Sequence, residues 1–208
     1  MKSIRRSVFE TNSSSTHSLS IEYIYDYDDA LLAHNLPRIP KGQEPKVINI
    51  QKVNLIQNGI AYGEVDKLRI VFALITELIY DEFKTQLRVD WETKNPTLKH
   101  NWNEWYKYWE KKSKQKGTIK YFIEHRYWGY LNAVLRKNCN LKVDVLPIFN
   151  YIPYVSDFVD SDLGCESSSY YKDIGLYSDM KRDSFKRVIE NIVFNPEISI
   201  EQETYRGQ

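Results

Sequence analysis

The chain has 208 residues, of which 42% are hydrophobic and 27% are charged, a balance typical of globular proteins and not of disordered ones. A chain of this length buries about 70% of its unfolded surface, so it needs no metal or disulfide to fold. No apolar run approaches the roughly 20 residues that cross a bilayer, and the basic start of the chain lacks the apolar segment of a signal peptide. Cys139 and Cys165 have no metal-ligand spacing, so we expect reduced thiols in a cytoplasmic protein that does not contact a membrane.

The net charge of +1 is unevenly distributed along the chain. Residues 98–138 contain ten Lys and Arg against three Asp and Glu, a net charge of +7. Residues 139–208 have a net charge of −5 and residues 1–97 of −1. Positive charge concentrated in one segment favours a polyanionic partner.

Strands are predicted in the first quarter of the chain. Residues 3–9 form a short strand, and residues 19–27 alternate between apolar and polar side chains, as a half-buried strand does. A short helical turn over 27–35, a proline-rich loop over 37–45, a strand over 47–55 and a turn over 57–63 follow.

The clearest predicted helix covers residues 64–88. Its apolar residues recur at i, i+3, i+4 and i+7, which is typical of a helix packed on a core: Leu68, Val71, Phe72, Ile75, Leu78, Ile79 and Phe83. The width of this stripe predicts the central core helix.

Two further helices are predicted around a lysine-rich turn. Residues 98–112 place four aromatic side chains on one side at helical spacing, namely Trp102, Trp105, Tyr106 and Trp109. Gly117 ends this segment, and Thr118 caps a helix over 119–138. The core face of that helix comprises Ile119, Phe122, Ile123, Leu131, Val134 and Leu135. Residues 97–138 thus form a basic aromatic helical hairpin.

The last part of the chain is predicted to contain strands and one helix. Strands cover 141–149 and 151–159, each with a proline that indicates an edge strand or a bulge. After a polar loop, Ser178 or Asp179 caps a helix that Asn195-Pro196 ends, and a strand follows over 197–205. These elements predict a single α+β domain over residues 1–208, with a mixed or antiparallel sheet, a central core helix and the basic hairpin inserted between N- and C-terminal strands.

A polar run between the first two strands is the first candidate site. It comprises Asn12, Ser13, Ser14, Ser15, Thr16 and His17. Such a turn can direct backbone N–H groups and hydroxyls at a phosphate or another anion, or it can bond to its own backbone, and both interpretations remain open. The sequence supplies no base or orienting group for a serine nucleophile, so we assign no catalytic residue, metal or cofactor.

An order of residues similar to one class of ADP-ribosyltransferases suggests an alternative. Arg5 or Arg6, then Ser14-Ser15-Thr16, then Glu201-Gln202-Glu203 resemble the Arg, Ser-Thr-Ser and Glu-x-Glu elements of that class. The resemblance implies a nicotinamide dinucleotide held by the arginine and serines, with Glu203 as the catalytic carboxylate. The arginines lie closer to the serines than in that class. A nucleotide-handling enzyme is therefore the alternative to a binding protein.

The basic aromatic segment is the second candidate site. Lysines supply salt-dependent contacts to phosphates, and exposed aromatic rings stack on unpaired bases. The alternative is that the tryptophans face the core and the lysines are simply solvated. The residues predicted to contact RNA, DNA or another partner are Lys107, Lys111, Lys112, Lys114, Lys116, Lys120, Arg126, Trp105 and Trp109.

Residues 5–19, RRSVFETNSSSTHSL, resemble the opening of a family of small bacteriophage proteins of no assigned activity. That family begins with a basic strand followed by F-E-T-N-S-S-S-x-H-S. The resemblance implies a phage protein in the bacterial cytoplasm, where small phage proteins often bind host defence complexes such as CRISPR nucleases.

The predicted function is therefore a non-enzymatic binding protein. It acts on a host protein, a nucleoprotein complex or a nucleic acid, as an inhibitor of host defence of the anti-CRISPR kind. Exposed tryptophans also allow an oligomer.

Overall fold

The structure, a computed structural model, describes residues 15–23, 36–50, 60–144, 172 and 174–206. Helices make up most of this part of the chain, and its strands are few, so the predicted α+β class is confirmed. The elements are β1 (Ser15–Tyr23), β2 (Lys46–Ile48), β3 (Ile60–Ala61), α1 (Glu64–Lys94), a 3-10 turn (Pro96–Leu98), α2 (Trp102–Ser113), α3 (Lys116–Ile123), α4 (Arg126–Cys139), β4 (Leu141–Val143), α5 (Arg182–Phe194) and β5 (Ile198–Arg206). No helix in these ranges has the length and apolar character needed to cross a membrane.

Helix α1 is the centre of the core, as its apolar stripe predicts. Val71, Ile75, Leu78 and Ile79 are fully buried, and the helix contacts α2, α4 and α5. It is 31 residues long and extends past residue 88, the predicted end. The extension ends at Asn95, whose backbone and side-chain N–H groups both donate to Trp91 O. Pro96 then follows, and its ring disfavours helical backbone angles for the residue before it, Asn95.

Strand β5 is the middle strand of a three-stranded antiparallel sheet with the order β1-β5-β3. β1 pairs with β5 over nine residues, from Ser15 opposite Arg206 to Tyr23 opposite Ile198. A separate parallel pair joins β2 to β4. The first and last strands of the described chain are therefore neighbours, which agrees with the predicted antiparallel or mixed sheet.

Several predicted strands and turns differ from the structure or lie beyond it. The turn predicted over 57–63 contains strand β3, because Ile60 and Ala61 pair with β5. The strand predicted over 47–55 covers 46–48. Residues 3–9, 27–35, 51–55 and 145–159 lie outside the described residues.

The helix predicted over 119–138 is two helices. α3 ends at Ile123 and α4 begins at Arg126, with His125 as the N-cap residue between them. Ile123, predicted to face the core, is 43% exposed, whereas Phe122, Leu131, Val134 and Leu135 are buried as predicted. Thr118 is not a cap, since α3 already begins at Lys116, and its hydroxyl donates to Lys112 O at 2.7 Å.

Helix α5 begins later than predicted. Its N-cap residue is Lys181, not Ser178 or Asp179, and it ends at Asn195 as predicted. Phe185 on its buried face stacks on Tyr127 of α4, with ring centres 4.6 Å apart and planes 11° apart. This contact joins α5 to α4, and α5 also packs directly on α1.

Candidate functional site

Helix α2 carries the candidate site, and its ends follow from local sequence. Asn101 is the N-cap residue, because its side-chain oxygen accepts a hydrogen bond from Glu104 N at 3.3 Å, as asparagine commonly does at this position. Lys111 and Lys112 lie in the last turn, where positive charge favours the negative end of the helix dipole. The capping residue and the basic last turn thus set the two ends of α2, in the segment where the aromatic and basic residues are densest.

One side of α2 packs on α1. Trp105 is only 5% exposed, and its ring centre lies 5.8 Å from that of Trp91. Trp109 is half-buried, with its ring edge-on to Tyr80 at 5.2 Å. Trp105 and Trp109 were predicted to contact a partner. Trp105 is instead buried against α1, and the ring of Trp109 is directed mainly at α1.

Two other aromatic side chains of α2 face solvent. Trp102 is 69% exposed and Tyr106 is 65% exposed, and they lie one turn apart on the helix. Helical spacing predicts all four aromatic residues on one side of α2, although a helix separates the row 102/106 from the row 105/109 by about 60°. Only the second row packs against the aromatic rings of α1, so the exposed rings are the pair left out of the predicted contact residues.

The guanidinium of Arg88, a residue of α1, packs against one ring face of the exposed Trp102. The guanidinium carbon lies 4.5 Å from the ring centre of Trp102 and 5.2 Å from that of Trp105, a cation–π arrangement. Arg88 is itself held, because it donates to Glu92 and to the backbone oxygen of Lys99. The hydrogen bond from Arg88 lowers the pKa of Glu92. One ring face of Trp102 is thus covered by a fixed cation.

The lysines near α2 differ in how far they are already neutralised. Exposed ion pairs join Lys107 to Glu104 at 2.7 Å, Lys114 to Glu110 at 2.7 Å and Lys120 to Glu124 at 3.8 Å. Lys112 donates to Gln115. Among the described residues, no ion pair involves Lys99, Lys111 or Lys116, which are all exposed. The three carboxylates of these pairs are already subtracted in the net charge of +7. In the part of the chain that the structure describes, only Arg126 and Lys137, which pair with Glu82 and Glu190 outside the segment, lower the charge that a partner meets below that value.

We use the name basic aromatic face for the exposed residues of this region that can contact a partner. It consists of Lys99, Trp102, Tyr106, Lys107, Lys111 and Lys116. Exposed pairs such as Lys107 with Glu104 are worth less than about 1 kcal/mol, so Lys107 can exchange its carboxylate for a phosphate at small cost.

Arg126, also predicted to contact a partner, takes part in a network that joins three segments. Its Nη2 donates to Glu82 at 3.0 Å, to the Tyr127 hydroxyl at 2.9 Å and to Ser178 O at 2.7 Å. These bonds link α1, α4 and the segment before α5, so Arg126 has a structural role that the sequence did not indicate.

His125 completes the same network. Its Nδ1 accepts from Tyr127 N at 3.3 Å, so its Nε2–H donates to Glu82 Oε2 at 2.6 Å. Burial acts to raise the pKa of Glu82, but the bonds from His125 and Tyr127 and the charge of Arg126 outweigh it and lower that pKa. Burial raises the pKa of Tyr127 and of Tyr121 to about 12. Both ring nitrogens of His125 are thus bonded within the fold, and the cluster joins α1 to the start of α4.

The serine-rich run lies mostly outside the described residues. Ser15, Thr16 and His17 are not in a loop as predicted but begin strand β1, opposite Arg206, Tyr205 and Thr204. The register also places Glu203 opposite Ser18 on the neighbouring strand. Asn12, Ser13 and Ser14, with Arg5 and Arg6, are not among the described residues, so the anion-binding loop and the nucleotide-handling alternative stay predictions.

No family model matches the chain, and no curated protein or solved structure is significantly similar to it. The likeness of residues 5–19 to bacteriophage proteins accordingly stays a resemblance. The function is best argued from the geometry of the basic aromatic face.

Proposed function

We propose that the protein is a non-enzymatic binding protein for a nucleic acid or a nucleoprotein, and that the basic aromatic face contacts this partner. The observation that carries the proposal is the exposure of Trp102 and Tyr106 on a helix that also carries the exposed Lys111, with the exposed Lys99 and Lys116 just before and just after it in the sequence. These three lysines have no ion pair among the described residues. Large exposed aromatic side chains that cluster on a surface commonly mark an interaction site.

The charge on this face favours a polyanion. Three exposed lysines can each reach a phosphate: Lys99, Lys111 and Lys116. Each contact releases counterions from the nucleic acid, and this release offsets the entropy lost when the lysine side chain is ordered. Glu104 and Glu110 are the only carboxylates of α2, and each is already paired with a lysine. A partner with phosphate groups therefore meets net attraction across the face.

The resemblance of residues 5–19 to bacteriophage proteins supports a host nucleoprotein as the biological partner. A CRISPR nuclease exposes both protein and nucleic acid, and a small protein that covers its nucleic-acid channel would inhibit host defence. In that case the bacterial cytoplasm is the compartment where the protein acts.

The proposal is tested by the salt dependence of binding. We expect the full chain to bind a fluorescent 20-nucleotide oligonucleotide, with an affinity that falls as salt rises. Changing Lys99, Lys111 and Lys116 together to Gln should reduce the slope of log affinity against log salt by about 2 to 3, since each phosphate contact contributes about 0.7 to 0.9. Fluorescence anisotropy at four salt concentrations measures this slope.

The matched control removes the same charge from another surface. Lys41, Lys46 and Lys142 lie in or beside the β2–β4 pair, and changing them together to Gln should leave the slope close to that of the unmodified protein. Equal losses in both triple variants, or an affinity that does not change with salt, would falsify the proposal.

A further inference from the structure

We infer that the nucleic acid is single-stranded and that its unpaired bases stack on Trp102 and Tyr106. This inference rests on the proposed function and adds the class of ligand. The two rings are the most exposed large apolar side chains among the described residues. In a duplex the faces of the bases are covered by their neighbours, so only an unpaired strand offers a base to each ring.

The spacing of the two rings suits consecutive bases of an extended strand. Residues at i and i+4 of a helix are about 6 Å apart along its axis, and their side chains lie one above the other on the same face. A strand that follows α2 would place one base on Trp102 and another on Tyr106. Lys99 lies before the first ring in the sequence, and Lys107 follows the second directly, about 100° around the helix from Tyr106. A long, exposed lysine side chain thus precedes and follows the row of rings and can contact a phosphate of the stacked strand.

Trp102 is already held in place before any ligand binds. The guanidinium of Arg88 lies 4.5 Å from the ring centre, and Glu92 and the backbone of Lys99 fix that guanidinium. One ring face is occupied and the ring remains 69% exposed, so stacking requires little further ordering of the side chain, and a ring ordered in advance binds at a lower entropic cost.

The acidic residues of α2 disfavour a duplex. A helix that enters the major groove has phosphates on both sides and presents polar side chains to base edges. Glu104 lies on α2 between the two exposed rings in sequence, and Glu110 lies one turn after Tyr106. Glu104 lies on the opposite side of α2 from the two rings, whereas Glu110 continues their row and is paired with Lys114 at 2.7 Å. Inside a groove both carboxylates would face phosphates, whereas a single strand along the two rings avoids Glu104 and meets only the paired Glu110.

Tryptophan fluorescence reports on this site directly. All five tryptophans lie among the described residues, and Trp102 is the only one with a largely exposed ring; Trp91, Trp105 and Trp128 are buried and Trp109 is half-buried. We expect a 20-nucleotide oligothymidine to quench the emission of the full chain, and we expect Trp102→Phe to remove most of that quenching while it retains most of the affinity, since phenylalanine still stacks.

The affinities of three further variants separate stacking from charge. Trp102→Ala and Tyr106→Ala should each weaken oligothymidine binding roughly 5- to 100-fold, and Trp102→Leu should lose nearly as much although it keeps apolar bulk. Tyr177→Ala is the control, because Tyr177 is exposed but lies before α5, and it should not change the affinity. Thermal unfolding of each variant shows that the fold is retained.

The outcomes distinguish this inference from the proposed function. Salt-dependent binding that is equally tight for a duplex of the same length, or that survives Trp102→Ala and Tyr106→Ala, would overturn the stacking inference and leave the basic face as a polyanion site. Failure to bind either oligonucleotide at low salt would overturn both. Tight binding to oligothymidine, weak binding to the duplex and loss with either ring removed would support both.

Discussion

Lys67 is a fully buried lysine near the start of α1. Its Nζ donates to the backbone oxygens of Asn195 at 2.8 Å and Ile198 at 2.9 Å. Burial lowers its pKa from the ordinary 10.5 to about 8, and nearby Glu64 acts in the opposite direction. The side chain thus joins the beginning of α1 to the junction of α5 and β5, and it satisfies the Asn195 carbonyl group that the end of α5 leaves without a helical partner.

Replacing Lys67 with Met should destabilise the fold by about 1–3 kcal/mol at pH 7, because two carbonyl groups lose their donor. The loss should be larger at pH 10. The unfolded lysine keeps its proton up to pH 10.5 and the folded one only to about 8, so the unfolded state binds more protons in that window and the stability of the unmodified protein rises with pH there. Methionine does not titrate and lacks this rise.

Urea denaturation of both proteins at pH 7 and pH 10 measures the two differences in the free energy of unfolding. Lys84→Met is the matched control, since Lys84 is an exposed lysine of the same helix, and it should change stability little at either pH. A loss for Lys67→Met that shrinks as pH rises would show that the protonated form is the one the fold favours.

At the scale of elements, the break between α3 and α4 is made by His125. The apolar spacing of residues 119–138 is that of one continuous helix, and no proline or glycine lies between Ile123 and Arg126. The ring instead caps α4 through Tyr127 N and bonds to Glu82 of α1. Because Glu82 lies 43 residues earlier, local sequence could not indicate the break.

Changing His125 to Ala should lower the free energy of unfolding by about 1–3 kcal/mol, since both the N-cap bond and a bond to a half-buried carboxylate are lost. His125→Asn should lose less, because asparagine is a preferred N-cap residue whose amide oxygen can accept from Tyr127 N. Glu82 keeps its bonds from Arg126 and Tyr127 in both variants. Chemical denaturation at pH 7 measures the order of stability, and equal losses in the two variants would argue against the capping role.

The elements that the sequence predicts best are those whose signal is local. Helix α1 has an apolar stripe over several turns, Asn195-Pro196 ends α5, and the strand predicted over 197–205 is β5. The alternation that starts at Leu19 predicts only part of β1, which begins at Ser15. Strand β3 is two residues long and exists only because β5 lies beside it. In the candidate site, too, the local signal predicts the element and long-range packing decides the exposure. Helical spacing places the aromatic residues on α2, but only the position of α1 decides that Trp105 is buried and Trp102 exposed.

At the scale of the molecule, the two ends of the described chain fold together. β5 has β1 on one side and β3 on the other. Its Ile198 and Ile200 are buried, and Ile200 belongs to the core cluster that includes residues of α1 and α5. Contacts between residues so distant in sequence cost loop-closure entropy before they contribute stability. We therefore expect the sheet to form late in folding, after α1, α4 and α5 have packed.

A chain that ends at Asn195 should not fold cooperatively, although its helices are complete. Removing β5 deprives β1 and β3 of their only strand neighbour in the described sheet, uncovers apolar surface of the core and leaves Lys67 with one of its two acceptors. Unpaired strands and exposed apolar surface favour a loosely packed state with helical content. Thermal unfolding should then be broad by near-UV circular dichroism while the far-UV signal persists.

A chain that ends at Arg206 keeps all of β5 and should unfold as the full chain does. If the shorter chain instead unfolded in one sharp transition near the same temperature, the helices alone would hold the core and the sheet would be an addition to it.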